Sequence, residues 1–229
     1  MSTNYLMSKS TTKKIYIFGI LGLIATIGVG VGEFLLHYSP NGIGYDSDNF
    51  EFFNQISLQR LTLGHFIAVS FTPFYIAGYY HLYLVFKDKN PKTAMAIFAL
   101  GIIAFMIGGM WISSRAQLGY LVHKIAEFPN DTALQSLVQT YKSHAEILVE
   151  SLRIWIAAIS VLFVIPILKS KTIYPKWVAI FNPLFILLAI LGIYKLIPPV
   201  GYVIGPIAMN VVHFIIFSIS LLIIKTKQR

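Results

Sequence analysis

Six runs of about twenty apolar residues decide what this chain can become. They cover about 15 to 37, 61 to 86, 94 to 122, 144 to 168, 176 to 195 and 203 to 224. Runs of that length match the hydrocarbon thickness of a bilayer, roughly 30 Å. Inside lipid no water serves the peptide groups, so each run must satisfy its own backbone hydrogen bonds as a helix. The expected fold is therefore all-α, a polytopic bundle of six transmembrane helices. Residues 1–229 are expected to be one transmembrane domain, since the runs leave no stretch for a soluble one. Composition agrees: 56% of the 229 residues are hydrophobic and the mean hydropathy is +0.71, against roughly 45 to 50% apolar usage in soluble domains. Lys13 and Lys14 before the first run mimic a signal peptide. That run is too long and lacks a small-x-small cleavage site, so it reads as a span.

The net charge of +9 is unevenly placed. Twelve Lys/Arg lie in the N-terminal tail, in 87–92, in 169–176 and in the C-terminal tail, all on one side of a six-span arrangement. Arg60, Lys124, Lys142 and Lys195 lie on the other side with five carboxylates, Asp46, Asp48, Glu51, Glu127 and Asp131. By the positive-inside rule both termini are cytoplasmic, in a multi-pass protein of the cell membrane. The basic excess is thus a topology signal with attraction to membrane lipid as a by-product, and it argues against nucleic acid. The absence of cysteine excludes disulfides, thiolate chemistry and cysteine metal sites.

Polar residues inside the runs are costly in lipid and point to function by default. In the fourth run Glu146, Glu150 and Arg153 recur at i, i+4, i+7 and form one stripe, expected to face the bundle interior. Trp155 points away from that stripe. In the first run Gly28-x-x-x-Gly32 permits close helix approach, and Thr26, Gly30, Glu33 and His37 share a face. In the second, His65, Thr72, Tyr75 and Tyr79 share a face and Pro73 breaks the helix. His81, in the aromatic G-Y-Y-H-L-Y stretch, reads as interfacial. In the third, Trp111 and Arg115 share a face with Gly108 and Gly119. Asn182-Pro183 marks a kink in the fifth, and Pro206, Asn210 and His213 share a face of the sixth. The 39–59 loop is acidic, with a short amphipathic helix expected from Phe50 to Gln59. Its D-S-D-N-F-E lacks the glycine and closing glutamate of a calcium loop.

Counted by helical rise, Glu33, His65, Arg115, Glu146, Glu150, Arg153, Asn210 and His213 all fall between mid-membrane and the outer surface. One shared interior pocket, a water-accessible funnel opening outward, avoids exposing five charges to lipid. Three carboxylates against two arginines leave one carboxylate to be neutralised by a histidine, by its own proton or by a cation. Catalytic candidates are Glu33, Glu150, His65 and His213. Substrate-binding candidates are Arg115, Arg153, Glu146, Trp111, Tyr75, Tyr79 and Asn210. No paired-histidine metal motif, nucleophile elbow or phosphate loop occurs, and no cofactor is specified. Single histidines from different helices joining Glu146 or Glu150 on a metal is an alternative that spacing leaves open.

Three stretches, G-E-F-L-L-H-Y at 32–38, Q-R-L-T-L-G-H-F at 59–66 and G-Y-Y-H-L-Y at 78–83, resemble an uncharacterised family of bacterial six-helix integral-membrane proteins. The resemblance implies a six-helix membrane domain of unknown function and transfers no catalytic residue. Three functions compete. The first is acid/base chemistry on a lipid or isoprenoid-like small molecule entering from the outer leaflet. The second is a proton-coupled carrier or small-ligand binding protein. The third is an assembly partner without chemistry.

Overall fold

A computed structural model describes residues 9–39 and 50–227. Among the described residues the chain is all-helical, with no strand, and folds as a helical membrane bundle. The expectation for Asp46 and Asp48 lies outside the described residues. Helix α1 spans Lys9–His37, α2 Leu58–Phe71, α3 Phe74–Phe86, α4 Pro91–Glu127 and α5 Thr132–Leu168. The remainder is α6 Pro183–Leu196, α7 Pro198–Ile204 and α8 Ala208–Thr226, with 3-10 turns at Glu51–Gln55, Lys176–Phe181 and Gly205–Ile207. Successive passes alternate in direction. Both described termini, Asn90 and Thr172 thus lie towards one end of the bundle, the near end, and Phe50 and Phe128 towards the far end.

Local chemistry sets the boundaries. Proline lacks the N–H that continues a helix, so the second pass divides at Thr72-Pro73 into α2 and α3. There the Thr72 hydroxyl donates to the Ala68 carbonyl at 2.8 Å, and the Tyr75 N–H tightens the turn onto the Thr72 carbonyl. Pro206 divides α7 from α8 in the same way. Asp131 caps α5, its carboxylate accepting from the Ala133 and Leu134 N–H groups.

Among the described residues, five passes are long and apolar enough to cross a membrane: Thr11–His37, Leu58–Phe86, Pro91–Glu127, Thr132–Leu168 and Pro198–Thr226. The fifth run, 176 to 195, expected as one span kinked at Asn182-Pro183, is instead a 3-10 turn followed by the fourteen residues of α6. Asn182 causes the break. Its side chain accepts from the Phe185 N–H and donates to the Ala179 carbonyl, which ends one segment and caps the next. Fourteen residues rise only about 21 Å, short of the roughly 30 Å hydrocarbon layer.

Helix α1 is the hub, packed on α2, α3 and α8. Glycine makes this possible. A Cβ on Gly32 would stand 2.5 Å from the Ala68 nitrogen, and one on Gly22 would stand 2.7 Å from the Gly78 Cα, so α2 and α3 touch α1 almost backbone to backbone. The approach expected of Gly28 and Gly32 is present, with Gly28 beneath the Phe71 ring. Helix α4 covers α2 and α3, and α5 lies outside it, packed on α4 and, towards the near end, on α6 and the Lys176–Phe181 turn.

Candidate functional site

Three polar links cross the bundle where α1, α3, α4 and α8 meet. In the first, the Asn210 amide donates to the Glu33 carboxylate, and its oxygen accepts from the Tyr75 hydroxyl at 2.7 Å. In the second, the Tyr79 hydroxyl lies 2.8 Å from His213 Nε2, and His213 Nδ1 lies 2.7 Å from the Met209 carbonyl. A carbonyl can only accept, so Nδ1 carries the proton and Nε2 accepts from Tyr79. In the third, Arg115 Nε donates to His37 Nε2 at 3.1 Å, while His37 Nδ1 donates to the Glu33 carbonyl at 3.0 Å. A guanidinium can only donate, so His37 is also held neutral with its proton on Nδ1.

These contacts place the sequence candidates. Glu33, Tyr75, Tyr79, Arg115, Asn210 and His213 are all buried, on one shared set of interior faces. The face read from Thr26, Gly30, Glu33 and His37 exists, with Gly30 leaving room for Asn210. Arg115 is 3% exposed and enclosed by the rings of Phe50, Phe53 and Trp111, at 5.0, 5.2 and 5.1 Å from their centroids. Trp111 also stacks on His37 at 5.3 Å. Ring faces are negative and attract a cation where water is excluded.

Other expectations are overturned. The Glu146, Glu150 and Arg153 stripe faces outward and is exposed; the Glu150 and Arg153 side chains are 64% and 66% accessible. Arg153 does pair with Glu150, but on the surface. The reason is that α5 needs its opposite face, with Ala145, Ile156, Ile159 and Phe163, to pack on its neighbours. Trp155, read as pointing away from that stripe, is partly buried against the core. His65 stands apart on α2. Its Nδ1 is shielded from solvent and has no hydrogen-bond partner among the described residues.

With the stripe outside, the buried charges among the described residues reduce to one carboxylate, Glu33, and one guanidinium, Arg115. Arg115 is close enough to act electrostatically on Glu33, so the expected surplus carboxylate disappears. Among the described residues no group of three or more His, Asp or Glu is placed to hold a metal. The expected outward funnel is also altered. Phe52 and Phe53, on the short helix anticipated in the far-end loop, are fully buried and sit against His37, with ring centroids 6.2 and 6.3 Å away.

A groove of about 340 Å³ runs between α1 and the start of α8, lined by Thr26, Gly30, Val31, Phe34, Asn210 and Phe214 among others. Its rim residues Ile27, Val31 and Phe214 are exposed on the side that would face lipid. The groove is almost wholly apolar, and Asn210, the residue that holds Glu33, is in its wall.

Sequence reading missed two polar anchors. Arg60, taken only as an outer charge, sends Nη2 to the carbonyls of Leu35 and Tyr38 at 3.1 and 3.0 Å, capping α1. His81, read as interfacial, is completely buried. Its Nδ1 donates to the Ile15 carbonyl at 2.8 Å, and its Nε2 lies 2.6 Å from the Ser220 hydroxyl, which the Tyr174 hydroxyl meets at 2.5 Å. Gly19 is the overlooked signal: a Cβ there would stand 2.8 Å from His81 Nδ1, so only glycine opens the Ile15 carbonyl to it.

A family model matches residues 1–227 and describes a family of unknown function. No curated protein and no solved structure matches the chain.

Proposed function

Starting from a chain that belongs to the family of unknown function DUF6796, we propose that it is a cell-membrane protein performing acid/base chemistry on a lipid or isoprenoid-like molecule. The substrate enters sideways through the groove between α1 and α8, and Glu33 is the group that exchanges the proton. One observation carries this reading: the buried carboxylate is bonded by Asn210, which with Thr26 supplies the polar side chains in the wall of a laterally open apolar groove. The apolar wall takes the chain of the substrate and the amide meets its polar end. Arg115 balances the charge of Glu33, and Tyr75 fixes the orientation of Asn210. The twelve-to-four distribution of Lys/Arg supports cytoplasmic termini, which puts the groove in the outer leaflet.

Glu33→Gln tests the reading, since it removes the titratable group and keeps the partner for Asn210. The expected result is a stability change within about 1 kcal/mol, together with loss of complementation in a deletion strain. Full complementation by Glu33→Gln would remove Glu33 from the chemistry.

A proton-coupled carrier is favoured by one separate feature. Tyr75 and Asn210 both lie in the first turn after a helix break, at Pro73 and Pro206, and broken helices of this kind flank substrate sites in carriers. A carrier must open at the near end as well. A cysteine at Ser220 that reacts with an impermeant thiol reagent in inside-out vesicles during turnover would favour the carrier, and permanent protection favours the enzyme.

A further inference from the structure

The face of α5 turned away from the bundle is not an ordinary lipid-facing surface. Ser143, Ile147, Glu150, Ile154, Ala157, Val161, Val164 and Leu168 follow one another at alternating steps of four and three, the spacing of a coiled-coil seam. The seam is open over most of its length: Ile147 and Ile154 are each 65% exposed, Val161 55% and Leu168 52%, with Ala157 and Val164 half-buried. One set of alternate positions holds Ile147, Ile154 and Val161, β-branched residues of the kind found in two-stranded seams, followed by Leu168.

The charges on this face set it apart from the other exposed helices. Lys169 and Lys171 follow the end of α5 and mark the near membrane boundary. From Leu168, Arg153 lies about 22 Å and Glu150 about 27 Å along the helix, within a layer roughly 30 Å thick. A carboxylate and a guanidinium more than 60% accessible at that depth would face hydrocarbon in an isolated chain, a costly arrangement that is relieved when such groups meet a polar partner.

We propose that this face is the contact between two copies of the chain. A two-fold axis along the membrane normal sets two α5 helices parallel, seam to seam. Each Arg153, already bonded to its own Glu150, then reaches Glu150 of the second copy. Two carboxylates and two guanidinium groups close a neutral ring, with the apolar seam continuing towards the near end. The surface is self-complementary in charge, as a two-fold contact requires. Arg153 carries donors beyond the one spent on its own chain.

The chain has no cysteine, so single cysteines report without background. Ile147→Cys, Ile154→Cys and Ala157→Cys, each expressed in native membranes and oxidised with copper phenanthroline, should give a covalent species of twice the 25.7 kDa chain mass. Leu188→Cys, similarly exposed on α6, should not. Adding Glu150→Arg to Ala157→Cys should lower the cross-linked fraction about tenfold, and adding Arg153→Glu as well should restore it. The three seam positions are independent, so one poorly expressed variant leaves two. The proposal is overturned if seam cysteines that react with N-ethylmaleimide form no dimer. It is equally overturned if they link to a different protein, if Leu188→Cys cross-links as strongly, or if the charge exchange restores nothing.

Discussion

Replacing Gly32 and Gly108 by alanine, one at a time, should move stability in opposite directions. Both glycines lie in helix interiors, where alanine is intrinsically better by about 0.5 to 1 kcal/mol. Their surroundings differ. A Cβ on Gly108 meets nothing within 4 Å, so Gly108→Ala keeps the intrinsic gain. A Cβ on Gly32 would lie 2.5 Å from the Ala68 nitrogen, 2.6 Å from its Cβ and 2.7 Å from the Gly64 oxygen. None of those atoms belongs to a flexible side chain, so α1 and α2 must separate by about 1 Å to restore ordinary contact, a shift in the range of overpacking that costs about 1 to 3 kcal/mol. Taking the middle of each range, about 2 against about 0.75 kcal/mol, leaves Gly32→Ala about 1 kcal/mol less stable. For a chain of this length that corresponds to a fall in Tm of about 2 to 4 °C, against a rise of a few degrees for Gly108→Ala. Thermal unfolding in one detergent, followed by size-exclusion retention or intrinsic fluorescence, reads both. A rise in Tm for Gly32→Ala would refute the backbone-to-backbone packing of α1 on α2, and a fall for Gly108→Ala would show that its surroundings are filled.

Three further substitutions test the anchors that sequence reading missed. Arg60→Gln should lower stability by about 1.5 to 3 kcal/mol by uncapping the α1 carbonyls; an unchanged melting temperature would mean that the cap contributes nothing. Ser220→Ala should cost about 1 to 3 kcal/mol, because His81 Nε2 is left without a donor in the core. Tyr174→Phe should cost less, since the ring keeps its packing on Phe86 and Phe163; equal losses for the two variants would place the contribution in Tyr174 itself.

The interior of the bundle is wired for direction as well as stability. Each of the three buried histidines that span elements, His37, His81 and His213, spends Nδ1–H on a backbone carbonyl and keeps Nε2 as an acceptor. Protonating His37 would place a second hydrogen opposite the Arg115 guanidinium, which can only donate, whereas the Ser220 and Tyr79 hydroxyls beside His81 and His213 can turn and accept. His37 therefore acts as a fixed acceptor in this conformation, beside Glu33, the proton-exchanging group of the proposed reaction.

By itself, the sequence determined the features that depend on neighbours along the chain. Apolar runs must become helices in lipid because the peptide group has no other partner there. Proline lacks a donor wherever it stands, so the breaks at Pro73, Pro183 and Pro206 were legible before any contact was known. The shared face of Thr26, Gly30, Glu33 and His37 followed from helical period, and the likeness to an uncharacterised membrane family was legible in three short stretches. What the sequence did not determine was the rotation of each helix and how far it runs. In lipid, an apolar flank suits either a neighbouring helix or the bilayer, so helical period alone does not say which side packs, and the tertiary contacts chose. On α5, Ala145, Ile156 and Phe163 took the packed face and turned Glu146, Glu150 and Arg153 out. On α3, Gly19 of the facing helix let His81 in, and on α4 the rings of Phe50, Phe53 and Trp111 enclosed Arg115. The groove at Asn210 belongs wholly to this second kind of fact, because it forms only where two helices distant in sequence lie side by side.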